Sequence, residues 1–212
     1  MEKRTTLSNY DLQVDIGRRI FMQYDQAWMI RKFSLSADDQ WIYLTYLNTP
    51  CRIDRKSGRI DELLNETWTE CRSFSTVMTI YDLLCYHQGE EAPQLLHAWC
   101  AVGSFVITGV QDAGVFSKEY AALFDGRLEA LKKACLRLGG MVEPRLAGAD
   151  LTCRLPVTNF FPVLLQFWEG EDEIPPKLML LWDKNAMSFL HFETTFYLQG
   201  DLFERLKKAM ES

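Results

Sequence analysis

Residues 150–182 read DLTCRLPVTNFFPVLLQFWEGEDEIPPKLMLLW, and they carry the clearest indication of the fold class. They contain three short segments, 150–155, 163–168 and 177–182, whose length and whose apolar, branched and aromatic residues are typical of β-strands. The connections between these segments are too short to hold a crossover helix, so neighbouring strands are expected to run in opposite directions. The stretch therefore predicts an antiparallel sheet.

The residues before this stretch predict helices and further strands. Apolar side chains in residues 9–24 recur at alternating four- and three-residue steps, which predicts a helix, and residues 76–88 predict a second one. Between these helices, four strands are expected to form two hairpins: 28–35 with 41–47, and 51–54 with 59–63.

The middle and the end of the chain complete the predicted fold. Residues 89–117 show no clear period and are predicted as a loop with one short strand near 104–108. A long middle helix is expected from a cap at Ser117 to Gly139-Gly140, and an amphipathic helix over 200–210. Strands joined by short turns beside separate helices make the predicted class α+β. Without repeats or linkers, residues 1–212 are expected to form one domain.

Composition and charge exclude several kinds of function. The 23 Lys and Arg residues are outnumbered by 29 Asp and Glu residues, so no basic excess is present to neutralise the phosphates of a nucleic acid. No apolar stretch approaches the ~20 residues that cross a bilayer, and no secretory signal follows the first basic residues. A cytoplasmic protein without a membrane partner is expected, and its six cysteines are predicted to be free thiols.

The turn between the second and third strands is strongly acidic. Glu169, Glu171, Asp172 and Glu173 place four carboxylates in five positions, beside a flexible Gly170. Clustered carboxylates can hold Mg²⁺, Ca²⁺ or Mn²⁺, or provide a general base. They can equally be the solvated charges of a tight turn between buried strands, and their spacing matches no known ligand loop.

A second group of polar residues follows the third strand. Asp183, His191 and Glu193 lie within eleven residues and could form an acid–base or metal site. Asp183 can also be a simple turn or cap residue. If the strands pair as a hairpin, this group lies roughly 20 Å from the acidic turn, at ~3.3 Å per residue. The two groups therefore cannot form one site within a single chain.

A third group contains sulfur and imidazole ligands. Cys85, His87, His97 and Cys100 lie within sixteen residues and could bind zinc. Against a zinc site, Cys85 ends an apolar helical run, and Cys-x-His is an unusual pair of ligands.

Nucleotide-binding and hydrolase templates are missing from the sequence. It contains no phosphate-binding Gly-rich loop, no Gly-x-Gly-x-x-Gly and no Gly-x-Ser-x-Gly elbow, and its three histidines leave little choice for a catalytic triad.

Four segments give the chain a resemblance to a known family: 54–59, 148–150, 167–175 and 180–183. With these segments the chain resembles domain-of-unknown-function family number 3786, of anaerobic bacteria and archaea. The resemblance implies one domain of about this length. Some relatives look as if they carry an added cysteine-rich iron–sulfur module, which implies a link to anaerobic cofactor or redox metabolism, although this chain has no such cysteine cluster. The family has no established catalytic residues, so the resemblance assigns none here.

Three functions follow as hypotheses. The absence of catalytic templates favours a non-catalytic binding or accessory protein, linked through the resemblance to metallocofactor or redox metabolism. The first alternative is a metal-dependent, hydrolase-like enzyme that uses the acidic turn. The second is an interaction module that presents an acidic surface to a basic protein partner. The sequence identifies no cofactor.

Overall fold

A computed structural model describes residues 9–89, 91–105 and 114–211 of the protein. Within them the chain forms helices and two antiparallel sheets, which confirms the α+β class. The helices are α1 (Asn9–Gln23), α2 (Gln26–Lys32), α3 (Phe74–Cys85), α4 (Gly114–Phe124), α5 (Leu128–Arg137) and α6 (Phe192–Glu211). No helix of these residues is long and apolar enough to cross a membrane.

The first sheet is a meander of five strands in chain order. Its strands are β1 (Ser36–Ala37), β2 (Trp41–Tyr46), β3 (Thr49–Asp54), β4 (Ile60–Leu64) and β5 (Thr67–Glu70). Ile53 pairs with Ile42 on one side and with Ile60 on the other, so one row of buried side chains crosses the sheet. The predicted hairpin of β3 and β4 is confirmed.

The second sheet contains the strands of the 150–182 stretch. Its strands are β6 (Trp99–Ala101), β7 (Met141–Val142), β8 (Leu151–Thr158), β9 (Phe161–Trp168) and β10 (Lys177–Asp183), in the order β6-β10-β9-β8-β7. Cys153, Leu165 and Leu180 lie side by side on one face, and all three are buried. The predicted antiparallel pairing is confirmed.

The two sheets and the helices share one hydrophobic core. The buried apolar side chains of both sheets and of α3, α5 and α6 form one continuous cluster. A backbone hydrogen bond from Leu47 N–H to the carbonyl of Val157, with an N–O distance of 2.9 Å, joins the end of β2 to β8. Neither sheet is therefore packed as a separate unit.

The prediction of a strand over 28–35 was wrong. The side chain of Asp25 accepts a hydrogen bond from Trp28 N–H at 2.9 Å and caps α2. Met29 and Phe33 are both buried, and their four-residue spacing is that of one helix face. The aromatic and branched composition favoured a strand, but the cap and the long-range packing determined the structure.

The prediction of one long middle helix was also wrong. Gly126, with φ +66°, breaks the run into α4 and α5, and Ser117 lies inside α4 rather than at a cap. Phe124 and Leu131 nevertheless reach the same core, which is why the apolar spacing continued across the break. Gly139, with φ +76°, follows the end of α5 as predicted.

Two further predictions need correction in extent. The final helix begins at Phe192, eight residues before the predicted start, and covers 20 residues. Of the predicted strand at 104–108, Ser104 and Phe105 belong to a 3₁₀ turn over Val102–Phe105, and 106–108 lie outside the described residues.

A buried polar cluster connects the first sheet to α3 and α6. The guanidinium of Arg205 donates to Glu62 at 2.8 Å, to Asp201 at 3.2 Å, to Thr49 at 2.9 Å and to Thr76 at 3.2 Å. The side chains of Arg205, Glu62 and Asp201 are only 18%, 12% and 11% exposed. The guanidinium of Arg205 thus neutralises two carboxylates where the first sheet, α3 and α6 meet.

Candidate functional site

The acidic turn of β9 and β10 is a hairpin tip closed by hydrogen bonds. Backbone hydrogen bonds between Glu171 and Ile174, with N–O distances of 3.0 and 2.7 Å, close a two-residue connection. Asp172 has φ +44°, a left-handed conformation that aspartate adopts more readily than most residues. The turn therefore explains the residue type at this position.

Two distant carboxylates anchor the strand that leads into the tip. Glu169 N–H donates to Asp150 Oδ2 and Gly170 N–H donates to Asp125 Oδ1, both at 2.9 Å. A Cβ at Gly170 would lie 3.0 Å from Pro176 Cδ, so a larger residue would be crowded here. The loop before β8 and the end of α4 thereby position the acidic segment.

A cavity of about 600 Å³ lies beside the tip, and we call it the hairpin groove. Its walls include Gly148, Asp150, Gln166, Trp168, Glu171 and Lys177. The indole of Trp168 donates to the carbonyl of Ala147 at 3.4 Å, and Lys177 Nζ lies 5.0 Å from the centre of its ring. The groove thus has an aromatic wall on which a cation already rests.

Gln166 lies in the floor of the groove. It is only 4% exposed, and its Nε2 donates to the carbonyl of Leu146 at 3.0 Å. Its Oε1 accepts no hydrogen bond from the described part of the chain. Asp150 uses Oδ2 for Glu169 and leaves Oδ1 similarly unoccupied. The groove therefore offers hydrogen-bond acceptors.

The four carboxylates of the turn do not converge. Glu171, Asp172 and Glu173 are exposed at the tip, and Glu169 is half-buried on the strand. Among residues 9–89, 91–105 and 114–211, no three Asp, Glu, His or Cys side chains are grouped to hold a metal ion. The geometry thus does not favour the metal-site interpretation of this turn.

Asp183 is a buried structural residue at the other end of β10. Its carboxylate accepts from the backbone N–H groups of Leu96 at 3.1 Å, His97 at 2.7 Å and Asn185 at 2.8 Å. These bonds match the turn role rather than the acid–base role. The hairpin register also places Asp183 at the end of the strand opposite the acidic turn, as expected.

His191 has a different carboxylate partner, Asp82 of α3. His191 Nδ1 lies 2.6 Å from Asp82 Oδ1, while Asp82 Oδ2 accepts from His191 N–H at 2.8 Å and from Thr194 Oγ1 at 2.6 Å. The Tyr86 ring and the imidazole pack edge to face, with 4.1 Å between their centroids. Glu193 is exposed at the start of α6. Sequence reasoning missed Asp82, whose only signal is a single acid within an apolar helical run.

A second cavity, of about 530 Å³, lies between α1, α3 and α6 beside this pair. We call it the helix cleft. Its walls include Ile16, Ile20, Met78, Tyr81 and Tyr197, and its polar residues include Asp82, Gln88, His191 and Glu193.

The proposed zinc ligands belong to separate elements. Cys85 is buried at the end of α3, and burial raises the pKa of its thiol to about 12. The backbone carbonyl of His87 accepts from Tyr24 and Lys32, and His97 is held through its backbone N–H. Cys100 lies on β6 opposite Trp182. Together with the absence of a metal-ligating group among the described residues, this placement does not favour zinc.

The family model described as Domain of unknown function (DUF3786) matches residues 25–205. The chain belongs to this family. Segments 148–150 and 167–175, two of the four that carried the resemblance, meet at the hairpin groove, inside the matched region. The family match begins after α1, so one wall of the helix cleft lies outside it. No curated protein and no solved structure matches the chain.

Proposed function

We propose that the protein is a non-catalytic binding protein that holds a basic side chain of a protein partner in the hairpin groove. The observation that carries this proposal is the polarity of the groove. Asp150 Oδ1, Gln166 Oε1 and the carboxylate of Glu171 are all acceptors, and Lys177 is the cation among the residues named in its walls.

A group that carries several N–H donors on an apolar stem suits these walls. A guanidinium or ammonium can donate to Gln166 and Asp150 while its stem lies against the indole of Trp168. Lys177 rests on the same ring at 5.0 Å, so it is a model for the incoming cation and a competitor of it. An anionic ligand would meet the carboxylates and would be repelled.

Apolar side chains beside the groove favour a partner larger than the cavity. Ile174 is 68% exposed at the tip, and Leu146 is 46% exposed beside the opposite wall. A partner that covers the groove would remove both apolar side chains from water, which is favourable. Asp172 and Glu173, exposed at the same tip, add long-range attraction for a basic partner.

The binding is expected to be moderate and sensitive to salt. Exposed ion pairs contribute about 0.2–1 kcal/mol each, and a cation on an exposed aromatic ring contributes about 0.5–1 kcal/mol. Several such contacts are needed, and each ion pair weakens as salt screens it. The proposal includes a cytoplasmic location, since six free thiols suit a reducing compartment. The link to metallocofactor or redox metabolism stays a prediction.

The test compares two short peptides that differ in one group. An arginine peptide and its citrulline counterpart have nearly the same shape, but only the first is charged. We expect the arginine peptide to bind at least about tenfold more tightly, with an affinity that falls as salt rises. Equal binding of the two peptides would overturn the proposal.

Matched variants locate the binding. Trp168→Ala and Glu171→Gln should weaken the arginine peptide. Glu129→Gln removes an exposed carboxylate from α5, outside the groove, and should not change the affinity. If all three variants bind the peptide as the wild type does, the groove is not the site.

A further inference from the structure

The helix cleft contains a second arrangement suited to a ligand, independent of the hairpin groove. We propose that it binds a small molecule with an apolar body and one hydrogen-bond-donating head, an amine or a hydroxyl. The head would meet His191, and the body would lie along α1.

The Asp82–His191 pair presents one free ring nitrogen. As a carboxylate, Asp82 can only accept, so the 2.6 Å contact places a proton on His191 Nδ1. In the neutral ring, Nε2 is then an acceptor. It makes no hydrogen bond with the part of the chain that the structure describes. The side chain of Asp82 is 12% exposed and that of His191 is 60% exposed. A mostly buried carboxylate therefore orients an imidazole that a ligand can reach.

Helix capping does not account for this ring. Asp82 Oδ2 already binds the backbone of His191 and the hydroxyl of Thr194 at the start of α6. That capping needs no imidazole. The bond to Nδ1 and the packing of Tyr86 on the ring instead fix the direction of Nε2, which is what ligand recognition needs.

The other polar groups of the cleft also accept hydrogen bonds. Glu193 brings a carboxylate, and Gln88 donates its Nε2 to the carbonyl of Cys85 at 2.8 Å, which leaves its Oε1 as an acceptor. The charges of Asp82 and Glu193 exceed the single positive charge that His191 can carry. The head of the ligand is therefore a donor and not an anion.

The opposite part of the cleft is apolar. Ile16 and Ile20 lie one turn apart on the face of α1 that borders the cleft. Their side chains are 46% and 47% exposed, so they present apolar surface to a ligand. A Cβ at Gly17 would lie 2.9 Å from Tyr81 Cδ2, so this glycine lets α1 approach α3 closely at the base of the cleft. The volume of about 530 Å³ lies within the usual range for small-molecule sites.

Three probes with one apolar body test the proposal. 2-Phenylethylamine, 2-phenylethanol and 3-phenylpropionate differ mainly in the head group, and their dissociation constants can be measured by NMR titration of the full chain. We expect the amine and the alcohol to shift the ring signals of His191, and the acid to bind at least about tenfold more weakly. An acid that binds as tightly as the amine would overturn the proposal, as would three probes that show no saturation up to about 10 mM.

Variants assign the binding to the cleft. His191→Ala and Ile20→Ala should each weaken the amine about tenfold. Leu12→Ala is the matched control, because Leu12 lies on the same helix with 48% exposure but not in the cleft wall. Trp168→Ala, in the hairpin groove, should also leave the affinity unchanged. If His191→Ala is poorly folded, the affinities of Ile20→Ala and Leu12→Ala for the amine are compared instead. Equal affinities of those two variants would refute the cleft as the site.

Discussion

Replacing Arg205 by methionine tests how the first sheet is joined to α3 and α6. Methionine has a similar length and is apolar, so the change removes the charge and the hydrogen bonds with little loss of volume. Glu62 and Asp201 would then be left without their cation at 12% and 11% exposure. Leaving a buried charge unpaired costs about 3–5 kcal/mol.

The contacts of Arg205 support a value in that range. Its Nη2 donates to Glu62 at 2.8 Å and its Nε donates to Asp201 at 3.2 Å. Hydrogen bonds to charged groups contribute about 1.5–3 kcal/mol each, so two of them account for about 3–6 kcal/mol. We therefore expect Arg205→Met to lower the free energy of unfolding by about 3–5 kcal/mol.

Urea denaturation, followed by circular dichroism, measures this loss. Arg205→Met should lower the midpoint and leave the slope unchanged, because the surface exposed on unfolding stays the same. In a Glu62→Gln background the same substitution should cost less, by about 1–3 kcal/mol, since one of the carboxylates is already neutral. A loss below about 1 kcal/mol in the wild-type background would refute the reasoning.

Three further predictions address backbone space, pH and metals. A Cβ at Gly140 would lie 2.7 Å from a backbone oxygen and 2.8 Å from a cysteine sulfur, whereas Gly200 in α6 has nothing within 4 Å. Gly140→Ala should therefore lower the free energy of unfolding measured by urea denaturation. In the same assay, Gly200→Ala should raise this free energy by about 0.5–1 kcal/mol. Burial raises the pKa of Cys51 and Cys85 to about 12 from an ordinary 9.0, so stability is retained below pH 9 and lost as pH rises toward 12. At pH 10.5 the loss should be about 2 kcal/mol per thiol by urea denaturation, and a Cys85→Ala variant with an equally steep pH dependence would contradict this. Finally, Mg²⁺, Mn²⁺ and Zn²⁺ should leave the melting temperature unchanged, whereas a rise that Glu171→Gln abolishes would restore the metal-dependent alternative.

The strands could be predicted because their signals are local. Val163–Trp168 and Lys177–Trp182 are short apolar runs bounded by turn residues, and their pairing follows from the short connection. The segment at Trp28 was mistaken for a strand because composition outweighed the cap at Asp25. The break at Gly126 was missed because both halves of the apolar pattern face one core.

The candidate sites were only partly predictable, for a different reason. The acidic turn is contiguous in the sequence, so its carboxylates could be identified, but Gln166 and Asp150 become groove residues only after the strands pair. His191 could be identified as a candidate, yet its partner Asp82 is 109 positions away. Periodicity carries no information about such a contact.

The five buried thiols can report how often different parts of the core open. Cys51 and Cys153 lie in the two sheets, Cys85 in α3, Cys135 in α5 and Cys71 just after β5. An alkylating reagent reaches each of them only when its surroundings open. Labelling rates resolved by mass spectrometry would therefore compare how often different parts of the core open, without any introduced probe. A ligand of the helix cleft should slow the labelling of Cys85 more than that of Cys153, because Cys85 lies in the cleft wall.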